Sequence, residues 1–375
     1  MNQNDLASIA PLLIVTLAGC TVLLAEAFRK PGDDMPLGGH GTLAAIGLIG
    51  AILASVVRLW GHDFVGFGVI IVDNYTVFFD VTHCAIGLLT VLLSSGSARR
   101  DDLPLGEYYA LLLFSIVGMM LMGSTRDLLV IFLALEILSL AVYVMTGLKR
   151  ASEQGAEAAF KYFVLGGFSS AFFLYGIALT YARTGTTKLD EIGMIVAGSM
   201  NEPNVLLILA MVLLLVGFAF KISAVPFHMW TPDAYEGAPT LVTGFMSTGV
   251  KAAAFAAFVR VFLWPFQPLH VQWAPVLSAI AGITMILGTV VGVASRASSA
   301  CSRIRVSRMR DTCWSASSRP TKPGRRRFFF TLRHMPSRTS ALLACSRHCP
   351  RPIVRTTTSV ILRDSGMSGQ GCLRC

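Results

Sequence analysis

The sequence predicts an all-α polytopic membrane protein with about nine transmembrane helices, followed by a basic tail of different character. Three observations predict it. The chain is 54% apolar and only 14% charged, with a mean hydropathy of +0.64, where a soluble domain carries about 25% charged residues. Apolar runs of span length recur between turns rich in Gly, Pro and charge. None of the runs alternates with period two, as the strands of a membrane β-barrel would, which favours helices.

A helix needs roughly 20 apolar residues to cross a bilayer. The runs fall at about 7–28, 40–60, 76–96, 107–123, 127–147, 157–182, 205–225, 240–264 and 272–294. Turns such as Pro31-Gly32-Asp33-Asp34 and Asn201-Glu202-Pro203-Asn204 separate them. The first run has no basic residues before it and has the length of a span, so it is expected to be a membrane helix rather than a cleaved leader. Arg29-Lys30, Arg99-Arg100 and Lys149-Arg150 follow spans one, three and five. Basic residues in short loops stay on the cytoplasmic side, which puts the N-terminus outside.

The net charge of +10 hides two opposite halves. Residues 1–295 hold 14 Lys/Arg and 19 Asp/Glu, whereas the last 80 residues hold 17 Lys/Arg and 2 Asp. Six of the eight cysteines, from Cys301 to Cys375, lie in this second part. Cys20 and Cys84 lie in apolar runs and read as inert packing thiols. The division expected is a transmembrane domain over 1–294 and an Arg/Ser/Cys-rich tail over 295–375 without a fold of its own.

Three readings of the tail compete. Basic and aromatic residues such as Arg325-Arg326-Arg327-Phe328 fit nucleic acid or anionic lipid. Cys345-Ser346-Arg347-His348-Cys349 has metal-ligand residues but no matching second pair. The third reading is a frameshift near residues 291–296. GC-rich codons for Arg296 to Ser315, read one base out of frame, can give an apolar string containing Lys-Arg-Val-Leu-Ala-Tyr-Ser-Ser-Ile. Arg327 to Leu342 can give one containing Tyr-Ala-Leu-Thr-Asn-Leu-Gly. The frameshift is the reading favoured, and the DNA of the gene decides it.

An ionisable residue inside a span is costly and marks function by default. Glu136 sits mid-span between Leu135 and Ile137, Lys221 late in span seven, and Lys251 mid-span between Val250 and Ala252. Lys161 lies in the first turns of span six, where snorkelling to an interface competes with a role. Asp80 and His83 share a face of span three, either as a satisfied structural pair or as a relay. Pro226, without a backbone donor, is expected to end or break span seven beside Lys221. Carbonyls freed there suit water in a cavity. A buried Lys favours its neutral form and a Glu partner favours the charged one. A Lys that gains and loses such a partner loads and releases a proton.

The stretch Phe220-Lys221-Ile222-Ser223-Ala224-Val225-Pro226-Phe227-His228-Met229-Trp230-Thr231-Pro232-Asp233-Ala234-Tyr235-Glu236-Gly237-Ala238-Pro239-Thr240 closely resembles the signature of the antiporter-like membrane subunits of proton-pumping NADH–quinone oxidoreductase, bacterial respiratory complex I. The Pro-Asp-Ala-Tyr-Glu-Gly-Ala-Pro form, followed by Val242-Thr243, looks like the subunit N branch. Leu135 through Tyr143, Ala159 through Gly176 and Ser247 through Ala257 resemble the family's fifth, sixth and eighth helices. The resemblance runs to about residue 293, and the frame-restored strings resemble the blocks that follow.

The resemblance implies a fourteen-helix fold built on two inverted repeats, each with a broken helix. It implies a proton relay in which Glu136 tunes Lys221 and Lys251 passes the proton on, with Lys161 and His228 secondary. It implies an inner-membrane translocase subunit that has no redox centre of its own, packed against other membrane-arm subunits and lipid and not against nucleic acid. FMN, iron–sulfur clusters and quinone would belong to partner subunits. The second repeat is absent here after residue 294, so this chain is expected to be truncated in function. The alternatives are a non-pumping structural or assembly fragment, or a subunit of a cation/proton antiporter or membrane hydrogenase.

Overall fold

The computed structural model describes residues 3–28, 39–97, 103–149, 151–198 and 205–294. Its helices are α1 (Gln3–Ala27), α2 (Gly39–Ala54, prolonged by a π turn at Ser55–Leu59), α3 (Asn74–Ser97), α4 (Leu105–Ser124), α5 (Leu128–Thr146), α6 (Glu153–Thr184), α7 (Leu189–Gly198) and α8 (Val205–Ile222). Then come α9 (Trp230–Gly237), α10 (Thr240–Phe245), a π turn at Met246–Val250, α11 (Lys251–Phe262) and α12 (His270–Ala294). Among the described residues nine helical segments are long and apolar enough to cross a membrane. They match the nine expected spans, with α7 and α9 as short additional helices.

The helix ends follow from local chemistry. Asp127 precedes α5, and its carboxylate accepts from the amides of Leu129 at 2.8 Å and Val130 at 3.3 Å. Ser152 caps α6 through the Gly155 amide at 3.0 Å. Such caps satisfy amides that have no partner inside the helix. Gly185 ends α6 at φ 70°, a left-handed conformation that glycine adopts without strain.

A short hairpin, β1 (Phe64–Gly66) paired antiparallel with β2 (Ile70–Val72), fills the loop after span two. Ile70 bridges Thr125, and the Arg126 amide donates to the Val69 carbonyl at 2.8 Å. The Leu128 amide donates to Thr187 at 2.9 Å, and Arg126 lies 5.2 Å from the ring of Trp264. The loops after spans two, four, six and eight therefore share one end of the bundle. Glu26 and His40, flanking the loop after span one, pair at 3.0 Å, and a Cβ on Gly106, at the start of span four, would meet Glu26 at 2.6 Å. The loops after spans one and three thus meet at the other end, as alternate crossing requires. Arg29, Lys30, Arg99, Arg100 and Arg150, on which the expected orientation rests, lie outside the described residues, as does the tail with its expected frameshift.

The interior is set by α4, α8 and α11. Phe218 meets Phe173 at 5.0 Å and Phe258 at 5.8 Å, both edge-on, and Phe258 stacks on Phe262 at 4.6 Å. Edge-on and offset rings add to the packing beyond their buried area. The broken seventh span is held within this bundle. Fixed aromatic packing around it gives the polar groups described next defined positions.

Candidate functional site

Span seven stops short of its expected end. Helix α8 ends at Ile222, Ser223 takes a left-handed φ of 63°, and Val225–Pro226 is a cis peptide. Helical structure resumes only at Trp230, so the span is broken and not merely ended. The break is pinned by the Ala224 amide donating to the Ala219 carbonyl at 2.8 Å and the Val225 amide to Thr284 Oγ1 at 2.9 Å. Carbonyls at the break were expected to suit water, but the Phe220 carbonyl accepts from the Ser223 amide at 3.0 Å and the Trp230 indole at 3.1 Å. A protein donor takes that place because Trp230, at the start of α9, stacks on Tyr162 of α6 and brings its indole N–H to Phe220.

Lys221 lies in the last turn of α8 and is 2% exposed. An ammonium group in so apolar a place needs partners. Its Nζ donates to Ser139 Oγ on α5 at 2.6 Å, and Ser139 in turn donates to the Leu135 carbonyl. The rings of Tyr143 and Tyr162 stand 5.4 and 5.8 Å from Nζ, within cation–π range. Glu136 does not pair directly with Lys221. It is half-buried, and its carboxylate accepts from Ser170 on α6. A cavity of about 10 Å³, lined among others by Leu135, Ser169, Ser170 and Lys221, has the room of roughly one water.

Sequence spacing explains this convergence. Glu136, Ser139 and Tyr143 follow at intervals of three and four, so one face of α5 carries all three. Gly166 lets α6 approach that face: a Cβ there would lie 1.9 Å from the Tyr143 hydroxyl.

Lys251 opens α11 directly after the π turn and is 3% exposed, with its Nζ 5.5 Å from the ring of Tyr235. π turns inside helices often accompany functional positions. A line of rings joins the two lysines. Tyr162 beside Lys221 stacks on Trp230 at 4.3 Å and 9°, and Trp230 meets Tyr235 edge-on at 6.1 Å.

Glu136, Lys221 and Lys251 are thus brought to one region. Lys161 is placed differently. It is 46% exposed and pairs with Glu157 at 2.8 Å and Asp233 at 3.2 Å, tying α6 to α9. His228 is half-buried in the turn before α9. Asp80 and His83 lie on α3, and the satisfied-pair reading fails. His83 has no exposed surface, and neither of its ring nitrogens has a hydrogen-bond partner. Sequence reasoning missed Ser139, Ser170, Tyr162, Trp230 and Tyr235 as contributors. The spacing on α5 pointed to Ser139, but the others needed the folded contacts.

Comparison with known proteins is consistent across sequence and structure. Residues 125–297 match the family model described as the NADH:quinone oxidoreductase/Mrp antiporter transmembrane region. The chain is 42% identical over 285 residues to NADH-quinone oxidoreductase subunit N of Trichlorobacter lovleyi, covering 76% of this chain and 58% of that one. It is 43% identical over 292 residues to NADH-quinone oxidoreductase subunit N 2 of Rhizobium meliloti, covering 78% and 59%. The match therefore spans about three-fifths of the length of these curated relatives. A chain of respiratory complex I from Thermus thermophilus superposes with a TM-score of 0.71 at 32% identity, over 89% of this chain and 69% of that one. A chain of the Mrp complex from a Dietzia species superposes with a TM-score of 0.73 at 19% identity, over 92% and 64%, a likeness of fold alone.

Proposed function

The chain belongs to the antiporter-like membrane subunits of NADH-quinone oxidoreductase, in the subunit N family, and from that premise we propose that it serves proton translocation across the bacterial inner membrane, coupled to electron transfer from NADH to quinone. Redox centres and the quinone site belong to partner subunits, and this chain supplies part of the membrane arm. Its N-terminus faces the periplasm.

The observation that carries this reading is Lys221, sealed at the break of span seven with Ser139 as its hydrogen-bond partner. Glu136, one turn before Ser139 on the same face, supplies the counter-charge. The Lys221 ammonium is held by one hydroxyl and two aromatic rings, with no carboxylate in direct contact. A proton taken up near Glu136 passes through Ser139 to Lys221. With Lys221 neutral, the Ser139 hydroxyl turns from the Leu135 carbonyl, gives its own proton to Nζ and takes one from a water on the Glu136 side, so one proton enters and one is passed on. Lys251 receives it on the far side of Tyr162, Trp230 and Tyr235, with water completing the steps. Lys161 and His228 act from the rim, Lys161 by fixing α9 against α6 through Asp233.

Among the described residues the chain holds one such arrangement. The family match stops at residue 297, where the tail's composition changes, and this supports a frameshifted tail. Lys251 then lacks the second half of its route, and the chain assembles without pumping fully. The test expresses this chain, and a version with the frame restored after residue 294, in a strain lacking its own subunit N. NADH-driven proton pumping in the membranes is then compared. Pumping restored only by the frame-restored version is the expected result. Equal pumping by both would remove the claim of a defective tail.

A further inference from the structure

A second row of buried polar side chains runs along α3, which the Lys221 arrangement does not use. Asp73, immediately before α3, is followed by Thr76, Asp80, His83, Thr90 and Ser94, with Gly87 in step between the last three, at alternating intervals of three and four. Such spacing puts them on one helix face. Asp73 is 18% exposed at the mouth, and the other five polar residues are buried. The hydroxyls of Thr76, Thr90 and Ser94 donate to the carbonyls of Ile71, Ile86 and Val91, so the costly members of the row are the ionisable Asp80 and His83.

One mouth is open to water. Arg260 of α11 donates to Asp73 Oδ1 at 3.2 Å and Oδ2 at 3.4 Å, and to Thr76 Oγ1 at 3.0 Å. Burial pushes the Asp73 carboxyl up, but Arg260 and the Thr76 amide outweigh it and hold it below the usual carboxylate range. Beside the pair opens a cavity of about 350 Å³ whose lining includes Asp63, Asp73, Arg126 and Trp264. Further in, Asp80 is 4% exposed with Arg260 as the cation that faces it. His83 comes next, with both nitrogens lacking a hydrogen-bond partner. A buried polar group left in that state is unusual in a folded protein and calls for an explanation.

The opposite mouth is also polar. Ser94 Oγ and the Tyr109 hydroxyl share a hydrogen bond of 2.6 Å. That hydroxyl lies 3.2 Å from where a Cβ on Gly41 would stand, beside the His40–Glu26 pair. The row is interrupted only at Gly87. A Cβ there would lie 2.3 Å from Ile116 Cδ1 and 3.2 Å from Leu48 Cδ1, so apolar atoms fill the gap between His83 and Thr90.

We propose that this face of α3 is a second proton path through the chain, separate from the Lys221 line, with Asp80 and His83 as its buried carriers and Ile116 with Leu48 as its closed gate. A proton from water at the Asp73–Arg260 mouth protonates the Asp80 carboxylate and passes to one His83 nitrogen. The other nitrogen releases a proton toward Thr90, so one proton enters and one leaves. Exit runs past Ser94 and Tyr109 to His40 and Glu26. Among the described residues, Arg260 from α11 and Tyr109 from α4 face the row, and Cys84 stands beside His83 on α3 itself.

The test reconstitutes the full chain in vesicles with a pH-sensitive dye inside, under an imposed pH gradient and a clamped potential. Ile116→Ser is expected to raise passive proton entry several-fold over the unmodified chain. Adding Asp80→Asn or His83→Leu returns it to the starting rate, whereas adding Lys221→Ala leaves the raised rate in place. No rise in Ile116→Ser, or a rise that survives loss of either Asp80 or His83, overturns the proposal. A second measurement leaves the gate untouched. Infrared spectra of the unmodified chain should contain a carboxyl band that responds to bath pH and is missing in Asp80→Asn, and identical spectra would overturn it. Neither readout uses NADH oxidation, so failure here leaves the Lys221 reading standing.

Discussion

Glu136→Gln in the frame-restored protein is expected to reduce NADH-driven proton pumping about tenfold, equivalent to roughly 1.4 kcal/mol on the limiting step, while the complex still assembles. Glutamine keeps the size of the side chain and can still accept from Ser170, the observed partner of the carboxylate. The helix contacts between α5 and α6 therefore survive. What is lost is the negative charge on the face of α5 that also carries Ser139 and Tyr143. Lys221 then has one hydroxyl and two rings around it, none of them anionic. A relay that depends on alternating charge stops, whereas a purely structural Glu136 predicts near-normal pumping. Membrane vesicles energised with NADH distinguish the two outcomes, with assembly checked by the amount of intact complex.

Gly118→Ala is expected to destabilise the chain by about 1–3 kcal/mol, a sign opposite to that of most glycine-to-alanine changes within helices. Alanine is favoured over glycine in a helix interior by about 1 kcal/mol. At Gly118, however, an added Cβ would stand 2.7 Å from the Leu138 amide nitrogen and 2.8 Å from the Ala134 carbonyl oxygen. Both are backbone atoms of α5, so no side chain can turn aside, and α4 has to move away from α5. Overpacking wins over propensity. Separation of these helices also moves Ser139, one residue beyond Leu138. Gly167→Ala is the control, since an added Cβ on that α6 residue meets nothing within 4 Å. Thermal unfolding in detergent should fall for Gly118→Ala and hold or rise for Gly167→Ala.

The nine spans were legible in the sequence because lipid imposes a crude and strong rule, a long apolar run for each crossing. Their ends shifted by a few residues where capping groups such as Asp127 and Ser152 set the boundary. The hairpin at Phe64–Val72 was missed. Its β-branched run, Val69 to Val72, is short, and its partners Thr125 and Arg126 are distant in sequence. Helix α9 was missed because it has only eight residues, among them Pro232 and Gly237, and it stands on the stacking of Trp230 against Tyr162.

The charged members of the site were legible for the same reason as the spans. Glu136, Lys221 and Lys251 stand out because charge is rare in such runs. Their neutral partners did not stand out. A serine or tyrosine in a membrane helix is unremarkable until folding sets Ser139 against Lys221 or Ser170 against Glu136. Lys161, for which snorkelling to an interface competed with a role, turns its ammonium outward to Glu157 and Asp233. For Asp80 and His83, spacing alone suggested a mutual pair, yet the His83 nitrogens remain without partners.

The measurement closest to the central claim is the proton-to-electron stoichiometry of NADH oxidation by complex containing Lys221→Ala in the frame-restored protein. Lys221 is the one group that the break in span seven, the face of α5 and the ring line all converge upon. The account expects fewer protons moved per electron, with the complex assembled in normal amount. An unchanged stoichiometry in fully assembled complex would contradict it.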